Sequence, residues 1–245
     1  MTTSEIPAPL LRRLRACGRV AVLTGAGISA ESGVPTFREA QTGLWARFRP
    51  EELATPEAFR RDPKRVWDWY QWRRRLIENA RPNPGHEALA RLEQRYADFT
   101  VITQNVDGLH RRAGSRNLLE LHGNIRRNKC FDEDAVVEHW TEAEDGPPRC
   151  HRCGGRVRPD VVWFGEYLPR AELDAAFAAS RACDVFLCVG TSALVHPAAA
   201  LPLEALGHDA CLVEVNPEQT PLSALCEFAL RGPAARVLPA LLAQL

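Results

Sequence analysis

Five groups of residues in this 245-residue chain have the types and spacing to do chemistry. His122 closes the apolar run Asn117 to Leu121 and is followed by Gly123. Imidazole moves a proton near neutral pH, and a glycine lets another group approach closely. Gln104-Asn105-Val106-Asp107 follows the run Asp98 to Thr103 and places two amides and a carboxylate at one strand end. Gly25, Gly27 and Ala30 fit G-x-G-x-x-G/A after the run Val20 to Leu23. Backbone there could come close to a ligand, and free N–H groups of a helix starting near Ile28 would favour a phosphate. Cys150-His151-Arg152-Cys153-Gly154-Gly155 has the turn of a zinc knuckle, with Cys130 as a third ligand about 20 residues upstream. Arg73, finally, falls inside an apolar helical stripe. Each group also has a plainer reading: a glycine turn, a helix cap by Asn105 or Asp107, a core histidine, a packing-held module, and an internal salt bridge.

Elements must hold these groups. Residues 8–17 read as a short amphipathic helix ending at Gly18. Pro63 opens a longer helix to about Ala80. At about 100° per residue it gathers Val66, Trp69, Tyr70, Leu76, Ile77 and Ala80 on one stripe, opposite Asp68, Gln71, Arg75 and Glu78. Arg73 lies within that stripe, with Tyr70 three residues before it. A buried arginine needs a partner, so the pair makes an internal salt bridge or offers a guanidinium fork and a phenol to an anion. Asn83 to Arg95 reads as a helix turning Ala88, Leu89 and Leu92 inward. Arg158 to Phe164 reads as a strand ended by Gly165-Glu166, whose backbone edge could accept an extended peptide by strand addition.

From Pro169 the alternation is regular: a helix to about Ala182, a strand Asp184 to Val189 ending in Gly190-Thr191-Ser192, and a helix near Ala198 to Leu206. A strand Ala210 to Val215 then ends in Asn216-Pro217-Glu218, and a last helix runs from Gly232-Pro233 through Leu242. This order predicts an α/β fold with a doubly wound, Rossmann-like parallel sheet. Residues 8–38, 83–123 and 161–245 would form the large lobe, and 39–82 with 124–160 a smaller inserted zinc-binding and helical lobe. The cleft between them is the natural ligand site, with the long irregular stretch from Gly33 to Pro56 as its cover.

Composition narrows the function. The chain is 45% hydrophobic and 25% charged, with 31 basic residues against 31 acidic ones, so no overall field draws it to nucleic acid or a membrane. No stretch approaches the roughly 20 apolar residues of a membrane span, and the N-terminus lacks a signal-peptide core, which points to the cytoplasm. Cys17, Cys183, Cys188, Cys211 and Cys226 sit singly in apolar surroundings and read as buried free thiols.

Taken together, GAGISAESGVPTFR at 25–38, TQNVDGLH at 103–110, LHG at 121–123, CHRCGG at 150–155, RPDVVWFGE at 158–166, GTS at 190–192 and VNPE at 215–218 resemble the sirtuins, NAD-dependent protein lysine deacylases. The likeness runs over nearly the whole chain in the family's order. Tyr70 and Arg73 resemble the Tyr-x-x-Arg pair of bacterial members of the class III type.

The resemblance implies that Gly25, Ala26, Gly27, Ser29, Phe37, Arg38, Trp45, Gln104, Asn105, Asp107, Gly190, Thr191, Ser192, Asn216, Pro217, Glu218 and Ala234 line an NAD site, with His122 as catalytic base. It further implies that Tyr70 and Arg73 hold the distal carboxylate of succinyl- or malonyl-lysine. Val162, Phe164, Gly165 and Glu166 would meet the acylated protein, bound as an extended peptide. In such enzymes the acyl oxygen attacks the ribose carbon as nicotinamide departs. The base then activates a ribose hydroxyl, which attacks the bound acyl carbon, and hydrolysis releases lysine and O-acyl-ADP-ribose.

Two positions depart from the family. Thr36 replaces the usual Asp before Phe-Arg, and Glu133 stands where a fourth cysteine is usual. Glu133, Asp132 or His139 could complete a structural zinc set with Cys130, Cys150 and Cys153.

Two rival functions are weaker. A dehydrogenase needs a second strand and a ribose-binding acid soon after the glycine turn, and no strand follows here until about Asp98. A nucleic-acid-binding zinc ribbon would use Arg126, Arg127, Lys129, Arg149, Arg152, Arg156 and Arg158, but no aromatic residues interleave them for base stacking.

Overall fold

The computed structural model describes residues 6–34, 49 and 52–245. Its centre is a six-stranded parallel sheet of β1 (Arg19–Thr24), β2 (Asp98–Thr103), β3 (Leu118–Glu120), β8 (Val185–Val189), β9 (Cys211–Val215) and β10 (Phe228–Leu230). The strands lie in the order β10-β9-β8-β1-β2-β3. The chain moves from β1 to β2 and β3 on one side, then returns to β8, β9 and β10 on the other. The direction therefore reverses between β1 and β8, where a doubly wound sheet opens a crevice beyond its strand ends.

Both faces of the sheet are covered, which is why its strands are nearly continuous apolar runs. Alternation along β1 sends Val20 and Val22 to one face and Ala21 and Leu23 to the other. The first face meets Leu10 and Leu14 of α1 (Ala8–Ala16), Leu89 and Leu92 of α4 (Pro84–Leu92), and Leu238 and Leu241 of α8 (Ala234–Ala243). The second meets Ala176 of α6 (Arg170–Ala182) and Leu201 and Ala205 of α7 (Leu201–Leu206).

A separate aromatic cluster joins α2 (Pro56–Arg61), α3 (Pro63–Glu78) and the antiparallel pair β4 (Gly123–Cys130) and β7 (Val157–Val161). Helix α3 is started by Asp62, whose carboxylate accepts from the Arg65 N–H, with Pro63 at the first position. It buries Val66, Trp69, Tyr70, Arg73 and Ile77, the expected stripe, except that Leu76 is 38% exposed. A short pair, β5 (Trp140–Thr141) and β6 (Arg149–Cys150), carries the cysteine hairpin, and α5 (Leu109–Ala113) links β2 to β3.

Several boundaries differ from the sequence reading. The helix expected near Ile28 is two three-residue 3-10 turns, Ala26–Ile28 and Ala30–Ser32, interrupted at Ser29. The strand expected from Arg158 to Phe164 ends at Val161, because the Val162 N–H donates to the His122 carbonyl and the Phe164 N–H to Ala54. Strand β4 was not expected: its GNIRRNKC sequence does not alternate, and its pairing with β7 shifts register between Asn124 and Asn128. Strand β10, three residues long, is too short for periodicity to reveal. All eight cysteines are free, with Cys17 and Cys226 half-buried rather than buried. Among the described residues no helix is long and apolar enough to cross a membrane.

Candidate active site

The loops beyond β1, β2, β8 and β9 meet at the carboxyl edge of the sheet, and hydrogen bonds tie them into one surface. Asn105 Nδ2 donates to the Gly25 carbonyl at 3.0 Å and to Ser29 Oγ at 3.2 Å. Gln104 Nε2 donates to Thr191 Oγ1 at 3.0 Å, and Asn216 Nδ2 donates to the Thr191 carbonyl at 3.0 Å. Four strand ends, far apart in sequence, thus share one polar floor.

The glycines of the first turn let two loops meet backbone to backbone. A Cβ on Gly27 would lie 2.7 Å from Gly190 Cα, and one on Gly25 would lie 2.8 Å from the Gly190 carbonyl oxygen. Gly190 itself has φ +58°, and a Cβ there would reach the Ile28 nitrogen at 2.5 Å. The missing side chains let the β1 and β8 turns touch backbone to backbone across the crevice. Two backbone amides of this turn are also taken, since Gly25 N–H donates to Val189 and Gly27 N–H to Gly190. Three-residue turns carry little dipole, so this turn lacks the field that a full helix start would add.

Ser29 ends the first turn and donates from Oγ to Asp107 Oδ2 at 2.7 Å. Asp107 is buried and accepts from the Leu109 N–H at 2.8 Å. Burial pushes its carboxyl up, against those two bonds. Below it lie two further buried histidines, of which sequence reasoning missed His86. His86 Nε2 sits 3.3 Å from Ser29 Oγ, and its Nδ1 accepts from the Asn83 N–H in the capping box of α4. His110 Nε2 sits 2.9 Å from Thr24 Oγ1, which donates to Thr103 Oγ1 at 2.8 Å. The two imidazoles meet edge to face at 4.9 Å. Burial lowers His86 to about 4 and, with His86 nearby, His110 to about 3, so both are neutral hydrogen-bonding groups. The Asn-x-x-His spacing before α4 was the available signal for His86, through its cap rather than its ligand.

His122 is half-buried at the junction of β3 and β4. Its Nδ1 lies 2.9 Å from the Gln104 carbonyl, which can only accept, so Nδ1 carries the proton and Nε2 keeps its lone pair. Burial lowers its pKa, partly offset by that bond. It is therefore a neutral base at pH 7. Gly123 follows with φ +77°, and a Cβ there would collide with the Asp160 carbonyl of β7, so the close approach expected of this glycine is made by a strand.

Other expected site residues are placed as follows. Ala26 is half-buried beside the crevice turn, while Ser192, Pro217 and Glu218 are exposed on the loops after β8 and β9. Ala234 is buried at the first position of α8, where its carbonyl lies against Gly85 of α4. Phe37, Arg38 and Trp45 lie outside the described residues. The donor set at the crevice, amides, hydroxyls, a carboxylate and an imidazole around a close backbone junction, suits a polar dinucleotide.

Near β7, Tyr70 and Arg73 line one buried face. Arg73 is 8% exposed, and its guanidinium carbon lies 5.0 Å from the Trp69 ring centroid and 5.9 Å from that of Tyr70. Trp163 Nε1 donates to the Tyr70 hydroxyl at 2.9 Å. The Glu166 carboxylate holds Arg158 through both oxygens, at 2.5 and 3.0 Å, and accepts from the Trp163 N–H at 2.8 Å. Phe164 and Gly165 are exposed and Val162 half-buried. Since the amides of 162–164 are all engaged, an extended peptide beside them would have to pair through carbonyls.

At the cysteine hairpin, ligand atoms of Cys130, Cys150, Cys153 and Glu133 lie within 4.8 Å of one another. Tetrahedral zinc with thiolates spaces sulfurs at about 3.8 Å. Cys130 and Cys153 Sγ are 3.5 Å apart, so these four groups can hold a zinc ion. Of the three candidates for the fourth ligand, only Glu133 joins the cluster. Its carboxylate is paired with Arg152 at 2.5 Å.

Comparisons with known proteins agree with this geometry. The Sir2 family model matches residues 25–197. A protein of Aquifex aeolicus called an NAD-dependent protein deacylase is 53% identical over 210 residues, 85% of this chain and 87% of its own. A crystal structure of a Sir2 homolog–NAD complex superposes with TM-score 0.89 at 44% identity, covering 99% of this chain and 95% of the other. A structure described as Sir2–p53 peptide–NAD+ superposes with TM-score 0.85 at 30% identity, covering 98% of each. With a family model spanning most of the chain and relatives this close along nearly its full length, the chain belongs to the Sir2 family.

Proposed function

We propose that this Sir2 protein uses NAD to remove acidic acyl groups, succinyl and malonyl, as well as acetyl, from lysines of proteins. The single observation that carries the acidic preference is Arg73, a cation on the buried face of α3 with a phenol one turn before it. A guanidinium is charged at any working pH and offers a planar fork that matches a carboxylate. An acetyl group has nothing to give that fork.

NAD supplies the electrophilic ribose carbon and the nicotinamide leaving group. The chain's own residues do the rest. The Gln104 carbonyl fixes the His122 tautomer, so that Nε2 is the atom that accepts a proton from a hydroxyl presented to it. Asn105, Ser29 and Asp107 fix the loop ends that shape the crevice. The exposed Phe164 and Tyr167 after β7, and Leu194 and Val195 after β8, offer apolar surface to a protein substrate. Released lysine and O-acyl-ADP-ribose are the products this reading requires.

Hydrogen bonds to a charged group contribute about 1.5–3 kcal/mol. Arg73→Met should accordingly lower kcat/KM for a succinyl-lysine peptide by roughly 10–100-fold, and that for an acetyl peptide far less. Comparing succinyl, malonyl and acetyl peptides with NAD tests this directly. Equal loss on all three would assign Arg73 to folding instead.

A further inference from the structure

We propose that Trp163 is a positioning residue for acyl selectivity: its indole N–H holds the Tyr70 oxygen as an acceptor, so that the Tyr70 O–H is left as a donor turned toward an acyl carboxylate beside Arg73. The inference rests on the acidic-acyl reading of Tyr70 and Arg73.

The chemistry follows from what each group can do. An indole N–H only donates, so at 2.9 Å the Tyr70 oxygen must accept, and the hydroxyl hydrogen has to point elsewhere. Tyr70 is 2% exposed, so bulk solvent does not take that hydrogen. Burial raises its pKa to about 12, and the hydroxyl stays protonated. Arg73 lies on the same face of α3, three residues on, and a carboxylate placed there is an acceptor for both.

Trp163 can set this orientation because it is itself fixed on every side. The Arg158 guanidinium carbon sits 3.2 Å over its ring, Glu166 accepts from its backbone N–H, and Phe59 packs at 5.3 Å. Arg158 is anchored in turn by Glu166 and the Val161 carbonyl. The same short segment carries exposed Phe164 and Gly165. One rigid unit therefore links the loop after β7 to the direction of the Tyr70 hydroxyl.

Trp163→Phe keeps an aromatic ring while removing the N–H together with the smaller ring of the indole. One oriented hydrogen bond is worth about 0.5–1.5 kcal/mol, so the succinyl-to-acetyl ratio of kcat/KM should fall about 2–10-fold, mainly through KM for the succinyl peptide. In a Tyr70→Phe background, adding Trp163→Phe should change that ratio no further. An additive second loss, or an unchanged ratio while Arg73→Met lowers it, overturns this inference alone. An unchanged ratio in both Trp163→Phe and Arg73→Met overturns the acidic-acyl reading with it. Should Trp163→Phe fail to fold, 15N-tryptophan labelling gives the same test, with six indole signals to follow. One of them should move both in Tyr70→Phe and when succinyl peptide, but not acetyl peptide, is added to the unsubstituted protein. No such signal would overturn the proposal.

Discussion

The carboxyl edge of the parallel sheet and the cysteine hairpin both gather polar groups from distant positions, but they are held together by different means. At the sheet edge, Thr24, Ser29, Thr103, Asn105, Asp107, His86 and His110 are buried and linked by hydrogen bonds anchored on strands. Behind them stands a large apolar core, in which each fully buried Val, Leu or Phe contributes about 1.5–3 kcal/mol. The hairpin has Cys130, Val137, Cys150 and Val157 as its buried cluster, two-residue strands, and exposed Cys153 and Glu133. A site on strand ends is preorganised by the fold, whereas a site on a hairpin this small depends on its ligand for order.

The largest effect that would sharpen this contrast is at His122. His122→Ala should lower kcat about 10²–10⁴-fold with little change in thermal midpoint, because the strand ends do not need the imidazole to stay in place. Activity and unfolding measured on the same preparation check it. A large drop in stability would mean that the edge is not preorganised.

Next comes acid. His86 at about 4 and His110 at about 3 are depressed in the folded state, against 6.5 unfolded. Their neutral burial costs nothing above pH 6.5 and destabilises as pH falls below it, since the unfolded chain then binds protons that the folded one refuses. At pH 5 each should remove roughly 2 kcal/mol. Denaturant midpoints at pH 7 and pH 5 should show that loss, and His110→Asn should make the slope shallower. An unchanged slope would place the acid sensitivity outside this cluster.

The smallest effect concerns the hairpin. Cys150→Ser should weaken zinc binding by more than the roughly 10–100-fold typical of outer-shell changes, while Glu133→Cys should strengthen it. Chelator competition gives the affinities, and cobalt substitution should show stronger thiolate charge transfer in Glu133→Cys. Neither change should alter the environment of His122. Equal zinc affinity in Glu133→Cys and the unsubstituted protein would remove Glu133 from the ligand set.

Much of the candidate site was legible from residue order. His122, Asn105 and Asp107 were identifiable because strands deliver their following residues to one edge. The spacing of Gly25 and Gly27 marks a close backbone approach, and the structure shows that they seat Gly190. Glu166, whose partners no local pattern reveals, holds Arg158 and Trp163. The roles of His86, His110 and Trp163 depend on partners 57, 86 and 93 positions away.

Local pattern alone determined the alternation of strands and helices, the apolar stripe of α3 with Arg73 inside it, and the thiol hairpin, because periodicity and turn chemistry act over a few neighbouring residues. Only the tertiary structure decided which amides remain available, that Glu133 and not Asp132 or His139 joins the thiols, and that the Tyr70 oxygen accepts from the Trp163 indole. Those outcomes follow from hydrogen-bond directions and close approaches between distant segments, and no periodicity encodes them.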